Sequence, residues 1–210
     1  MSLFLACTIA YLESVRARRW TAVAVAAFLA GLAYPIGVMV LPIVGVIHVG
    51  RTTRRLVPTA LAALPPLLAF GVVLLVQKIQ TGRWTAFFDV QQHYGHGVHD
   101  PFLVTWNYVV HIGTGWGSAP YWQTLFVSVV LVLLVLLAGR RDPLLLTYAI
   151  VAWAAPLTQA NVSVWRSQDA LLPVAPLVGR LPRALATAIV AGAVIVGVAV
   201  ARLFFEGGLV

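Results

Sequence analysis

Four long apolar runs constrain this chain more than any other feature of its sequence. They are Leu56–Ile79, Tyr121–Ala138, Leu144–Gln159 and Ala184–Phe205. Crossing the hydrocarbon core of a bilayer takes about 20 apolar residues in a helix, with a range of about 17–25. The runs do not alternate apolar with polar residues, as the strands of a transmembrane barrel do. The pattern therefore predicts an all-α, polytopic transmembrane helical bundle with short broken helices.

The composition leads to the same class. The chain is 61% hydrophobic and 10% charged, whereas a soluble domain has about 25% charged residues. So few charges cannot cover a folded surface, and lipid must solvate much of it. The net charge of +8 does not indicate a nucleic-acid partner, because the basic residues form short clusters between apolar runs, as in membrane proteins. We expect one transmembrane domain over residues 1–210, in a bacterial plasma membrane.

The basic clusters also predict the topology. Arg16–Arg19 precede the apolar run Trp20–Val49 and Arg51–Arg55 follow it, and both clusters favour the cytoplasmic face. Pro35 interrupts the run, since proline removes a helical hydrogen bond. One long kinked helix and two short helices both fit this break. Since both clusters favour the same face, the run should cross the membrane an even number of times, which favours two helices of about 15 residues each. Continuing this alternation of faces along the chain places Gln80–Trp122 outside the cytoplasm.

The segment Gln80–Trp122 is polar and rich in aromatic residues. It contains four of the five histidines and four of the seven tryptophans. From Trp84 to His96 the pattern predicts an amphipathic helix lying in the interface, with aromatic side chains on one face. The polar face carries Thr85, Asp89, Gln92, His93 and His96. The helix either anchors the chain through its aromatic residues or binds a polar substrate.

Two carboxylates in this segment are candidate general bases, Asp89 and Asp100. The pair Asp100-Pro101 is also typical of a helix start, where the aspartate caps the first turn and proline fits the first position. The histidines at positions 93, 96 and 99 are suitable metal ligands by type. Gly95 and Gly97 break the helix that would bring them together, so we predict neither a metal nor a cofactor.

Arg166 lies in a short polar loop that follows the run Leu144–Gln159 and precedes a short apolar leg, Asp169–Val178, which is broken at Pro173 and Pro176. A guanidinium matches the oxygens of a phosphate bidentately. The interpretations are an ordinary headgroup contact or a specific site for a lipid phosphate.

Three stretches of the sequence resemble one family. The first is Ser2–Leu5 with Arg19-Trp20, Ala30–Ala33 and Gly37, and the second is Gln80–Phe88 with Gln91 and Tyr94-Gly95. The third is Val164–Ser167, running to Leu172-Pro173. Together they resemble the GT-C membrane glycosyltransferases, in particular the mannosyltransferase family that adds the second mannose of glycosylphosphatidylinositol, and its actinobacterial relatives.

The resemblance implies a glycosyltransferase, with mannose as the expected sugar, that uses a polyprenyl-phosphate sugar donor at the extracytoplasmic membrane face. Arg166 would contact the lipid phosphate, and Gln91 and Tyr94 would shape the site. His93 and His96 are candidates for hydrogen bonding to the substrate. The acceptor is not indicated.

The sequence departs from the family in two places. The family's catalytic aspartate lies in its first outer loop, whereas this sequence opens at what resembles a later span. The family's Gly-Asp-Pro is Gly82-Arg83-Trp84 here. We therefore expect the C-terminal portion of such an enzyme, inactive if that loop is missing. The alternatives are a non-enzymatic integral membrane protein that binds a lipid-linked anion, or a small transporter.

Overall fold

The computed structural model describes residues 2–93, 99–113, 119–137, 142–158 and 168–206. Within these ranges every regular element is helical, which confirms the all-α prediction. Three of the described helices are long and apolar enough to cross a membrane: Pro35–Thr53, Leu56–Thr81 and Arg183–Phe205.

The helices of the first half follow one another closely. They are α1 (Ser2–Arg16), α2 (Trp20–Ala33), α3 (Pro35–Val44), a π-helical turn (Gly45–Val49), α4 (Gly50–Thr53) and α5 (Leu56–Thr81). The second half mixes short and long helices. They are α6 (Ala86–His93), α7 (Pro101–Val110), α8 (Ala119–Leu137), α9 (Pro143–Thr158), a 3-10 helix (Gln168–Val174), α10 (Ala175–Val178) and α11 (Arg183–Phe205).

The break predicted at Pro35 separates α2 from α3. Tyr34 is extended, with φ −159° and ψ 134°, and Pro35 begins α3. Trp20, at the start of α2, and Thr52, at the end of α4, line the same cavity. The chain therefore folds back at Pro35, with two helices in place of one long kinked helix.

The returning leg is longer than the 15 residues expected from the sequence. Gly45 and Gly50 keep right-handed helical angles, with φ of −58° and −59°. The helix therefore continues through the π-helical turn to Thr53, over 19 residues. The expectation of two short legs is correct for α2 and wrong for the second leg, because the glycines and the arginine cluster extend the helix instead of ending it.

Small residues let α2 and α3 pack closely on α5. A Cβ on Gly31 would lie 3.0 Å from the Cβ of Ala69, and one on Gly45 would lie 2.9 Å from the backbone carbon of Ala62. Close backbone approach at small residues is a common way for helices to associate within membranes.

One hydrophobic core contains residues of both halves, and each half has a buried tyrosine within it. Tyr11 of α1 is fully buried, and its hydroxyl lies 3.5 Å from the carbonyl oxygens of Leu41 in α3 and Ala62 in α5. Tyr148 of α9 is also fully buried, and its hydroxyl donates to the carbonyl of Ala170 in the 3-10 helix at 2.6 Å. A buried hydroxyl needs such a partner, so both tyrosines fix how the helices are placed.

The bundle has two chemically different ends. One end, which we call the basic end, contains the end of α1 at Arg16, the start of α9 after Asp142 and the turn at Arg180 that precedes α11. At the opposite end, α5 finishes at Thr81, and the backbone N–H of His99 donates to the carbonyl of Thr158, the last residue of α9, at 2.7 Å.

Candidate functional site

An apolar groove runs between α8, the segment Gln168–Val178 and α11. It encloses about 350 Å³, within the usual range for small-molecule sites. Its α8 wall extends from Gln123 to Leu134, which is about 16 Å along a helix. The other α8 residues in this wall are Phe126, Val127, Val130 and Leu131.

Polar side chains gather at one end of the groove, where Gln123, Gln168 and Asp169 line it. Gln168 is only 5% exposed, and its Nε2 donates to the Thr124 hydroxyl at 3.2 Å. Its Oε1 is buried and has no hydrogen-bond partner among the described residues. An unpaired buried acceptor costs about 1–3 kcal/mol, so this atom favours a ligand that donates a hydrogen bond.

Asp169 follows Gln168 and keeps contact with solvent. Even so, partial desolvation raises the pKa of its carboxyl above the ordinary value. Removing water from around a carboxyl disfavours its charged form. The polar end of the groove therefore combines a buried acceptor with a carboxyl that takes up a proton more readily than usual.

Prolines and one close contact shape the groove. The predicted breaks at Pro173 and Pro176 coincide with the change from the 3-10 helix to α10 at Val174 and Ala175. A Cβ on Gly192 of α11 would lie 2.6 Å from Cε2 of Phe126. The Phe126 ring thus lies against α11 where that helix has no side chain, and it forms part of the groove wall.

Asp100 has the structural role that its sequence context indicated. Its carboxylate accepts the backbone N–H groups of Phe102 at 2.8 Å and Leu103 at 3.2 Å, and Pro101 is the first residue of α7. Asp89 forms an ion pair with Arg83 at 2.9 Å and lies 3.2 Å from the Thr85 hydroxyl. Both candidate bases already have partners within their own segment.

Gln91 and His93 belong to α6, and neither lines the groove. That helix packs on α5, where Phe70 makes edge contacts with Phe87 and Phe88. The remaining predicted substrate residues lie outside the described residues. They are Tyr94, His96 and Arg166. Within the described ranges, no group of three or more histidine, cysteine or acidic side chains is placed to hold a metal ion.

The sequence alone did not identify Gln168 and Asp169 as candidate site residues. A signal was present, because two polar residues open an apolar leg and follow Arg166 by two and three positions. Polar and ionisable groups that open an apolar segment are candidates for a functional role. Their partner on α8, Thr124, lies 44 positions away and could not be found by inspecting the sequence.

A second polar cluster lies at the basic end. Asp142 is 8% exposed, and its Oδ2 pairs with Arg16 at 2.5 Å and Arg180 at 3.3 Å. Its Oδ1 accepts the backbone N–H of Leu145 at 3.1 Å, which caps the start of α9. One carboxylate therefore joins the end of α1, the start of α9 and the turn before α11.

Comparison with protein-family models, with curated proteins and with solved structures finds no match for this chain.

Proposed function

We propose that this protein binds a polyprenyl-phosphate sugar within the membrane and transfers its sugar, as the resemblance to the GT-C glycosyltransferases implies. The observation that supports the proposal most is the apolar groove with its polar end at Gln168 and Asp169. A polyprenyl-phosphate sugar has a long apolar chain and a head that carries hydroxyl donors and an anion. The groove offers complementary chemistry for the chain and for the hydroxyls.

The head of the donor would meet three groups. A sugar hydroxyl would donate to the unpaired Oε1 of Gln168, which would remove the penalty of a buried acceptor. Arg166, two residues earlier in the sequence, would neutralise the phosphate through charge-assisted hydrogen bonds. Without such a cation, the carboxyl of Asp169 would repel the phosphate.

Transfer requires a base for the acceptor hydroxyl, and Asp169 is our choice. Asp89 and Asp100 are held by Arg83 and by the first turn of α7, whereas Asp169 lines the groove. The acceptor oxygen would bond to the anomeric carbon while the bond from that carbon to the phosphate oxygen breaks. Polyprenyl phosphate would leave with the bonding electrons, and Asp169 would take the hydroxyl proton.

Filling the groove tests the proposal directly. Val130 lines the groove, whereas Val132 on the same helix is 56% exposed and is not part of the wall. In phosphatidylcholine vesicles, Val130→Trp should lower labelling by a photoactivatable polyprenyl-phosphate mannose about tenfold, a loss of about 1.4 kcal/mol in binding free energy. Val132→Trp is the matched control and should label like the unchanged protein.

Arg166→Ala, measured in the same way, tests whether the phosphate of the donor contributes to binding in addition to its polyprenyl chain. Its labelling should also fall about tenfold, because a charge-assisted hydrogen bond contributes about 1.5–3 kcal/mol. Equal labelling of the two tryptophan variants would exclude the groove as the binding site. Groove-dependent labelling without mannose transfer to any membrane acceptor would assign the protein to the alternative, a non-enzymatic binder of lipid-linked anions.

A further inference from the structure

A separate polar cavity of about 370 Å³ lies at the basic end. The turn after α1, the start of α2, the helix near His48 and the start of α9 form its walls. Its polar lining includes Arg16, Arg18, Trp20 and Asp142. It shares no lining residue with the apolar groove, and nothing in the proposed transfer reaction uses it.

The carboxylate in this cavity already has hydrogen-bond donors. Asp142 is the one acidic side chain among its lining residues, and both of its oxygens accept hydrogen bonds, from Arg16, Arg180 and the N–H of Leu145. The hydroxyls of Thr52 and Thr53 donate to backbone carbonyls of their own helix, that of Thr52 to His48 and that of Thr53 to Val49. The carboxylate that would attract a cation is therefore already neutralised by two arginines.

Donors remain available on the opposite wall. No described side chain or carbonyl accepts a hydrogen bond from the Arg18 guanidinium or from the Trp20 indole N–H. With Arg16 and Arg18 set against Asp142, the described residues of the lining carry a net charge of +1 when His48 is neutral. An excess of donors and of positive charge is the condition for binding an anion.

The backbone at Arg18 turns the chain from α1 into α2. Its φ is 53°, a left-handed conformation that is unfavourable for a non-glycine residue and that glycine adopts without that cost. Arg54 has the same conformation, with a φ of 51°, but does not line the cavity. The conformation therefore does not by itself indicate a role, and the case for Arg18 rests on the position of its side chain in the cavity lining.

We propose that this cavity binds a phosphate group. A phosphate oxygen accepts and does not donate when fully ionised, so it complements donors that lack partners, and a planar guanidinium matches two of its oxygens at once. Arg18 makes the main contact, the indole of Trp20 donates a second hydrogen bond, and Arg16 adds charge while it holds Asp142. The phosphate comes from a phospholipid headgroup at this membrane face or from a soluble phosphate compound.

Two substitutions at one position and one beside it test the proposal. Arg18→Gln removes the guanidinium, and Arg18→Gly removes it while suiting the positive φ, so the second variant folds at least as well as the unchanged chain. Arg19→Gln is the matched control, because Arg19 is exposed and does not line the cavity. Binding of phosphatidylglycerol is measured by native mass spectrometry and binding of inorganic phosphate by phosphorus NMR, both with the full chain in neutral detergent.

Both Arg18 variants should weaken binding about tenfold, whereas Arg19→Gln should change it less than twofold. Arg18-dependent binding of phosphatidylglycerol alone identifies a lipid headgroup, and Arg18-dependent binding of inorganic phosphate identifies a soluble source. The proposal is wrong if neither probe binds. It is also wrong if the three variants bind equally well or lose binding equally, because the basic residues would then attract anions only through their overall charge. Donor labelling at the apolar groove should be unchanged in every variant.

Discussion

The α2–α3–α5 region and the α8–α11 pair solve the same packing problem in opposite ways. In the first, glycines bring backbones together, and a Cβ on Gly45 would lie 2.9 Å from the backbone of Ala62. In the second, a Phe126 ring contacts Gly192, and the space beside that ring stays open as the groove. The two candidate membrane-spanning helices also differ in burial, since 39% of the most apolar 18-residue stretch of Pro35–Thr53 is buried and 11% of that of Arg183–Phe205.

The difference shows where this fold has space for a ligand. Backbone contact between helices leaves no volume to fill, and it fixes their separation. Contact through a side chain holds two helices farther apart, and the volume beside it depends on the ring's rotamer. We therefore expect substitutions of glycines that contact a neighbouring helix to be costly in the first region and tolerated in the second.

The largest effect is expected at Gly37, where α3 turns back on α2. A Cβ there would lie 2.7 Å from the carbonyl oxygen of Ala30, and backbone cannot move aside as a side chain can. Gly37→Ala should lower the free energy of unfolding by about 1–3 kcal/mol, even though alanine favours the helix. Thermal unfolding in detergent measures the change.

Gly71→Ala is the control for this comparison. Gly71 lies inside α5 with nothing within 4 Å of the added Cβ, so alanine should stabilise the helix by up to about 1 kcal/mol. If Gly37→Ala were as harmless as Gly71→Ala, the turn at Tyr34 would have room to open, and the contrast between the two regions would disappear.

These two glycines also mark how far the sequence could predict the fold. The apolar runs predicted α5 and α11 to within a few residues, because a membrane span depends on its own hydropathy. The start of α7 at Pro101 was also predicted, because a helix cap depends on neighbouring residues and Asp100 caps its own helix. In contrast, the break at Pro35 marks a turn near Gly37, but the sequence does not show that Gly37 lies against the Ala30 carbonyl whereas Gly71 has open space around it.

The groove was harder to predict than the helices. Gln168 meets Thr124 from 44 residues away, and Arg16 meets Asp142 from 126 residues away. The sequence indicated where chemistry could occur by concentrating histidines and tryptophans in Gln80–Trp122. The groove is instead lined by apolar faces of α8 and α11, whose residues look like ordinary membrane-spanning sequence until the helices are placed side by side.

An intermediate effect is expected at Gly192 in the second region. Here the added Cβ would meet the far edge of the Phe126 ring at 2.6 Å, and the ring can rotate into the groove. Gly192→Ala should therefore change the free energy of unfolding by less than about 1 kcal/mol, because the helix preference of alanine offsets the rearrangement. Its main effect should be weaker labelling by the polyprenyl-phosphate probe.

Gly197→Ala, one and a half turns farther along α11, is the matched control, because nothing lies within 4 Å of its added Cβ. It should leave labelling unchanged. A loss of stability at Gly192 as large as that at Gly37 would mean that α8 and α11 are held as rigidly as α2 and α3.

The smallest effect concerns the charge at the polar end of the groove. Desolvation raises the pKa of Asp169 above its ordinary value of 3.8, so the folded chain binds this proton more tightly than the unfolded chain does. Ionised Asp169 therefore destabilises the fold at neutral pH, and this cost is absent below pH 3.8. Asp169→Asn should raise the free energy of unfolding at pH 7, by about 0.5 kcal/mol at most because the carboxyl keeps solvent contact.

The sign of the change in the free energy of unfolding distinguishes Asp169 from Asp89 of α6, which is paired with Arg83. Asp89→Asn removes an exposed ion pair with Arg83 and should be neutral or slightly destabilising at pH 7. The stabilisation by Asp169→Asn should shrink as the pH is lowered and vanish below 3.8, when the aspartic acid is neutral in both states. If Asp169→Asn instead lowered stability at pH 7, the carboxylate would be held by a cation in the resting protein, and the polar end of the groove would be preformed for a neutral donor group.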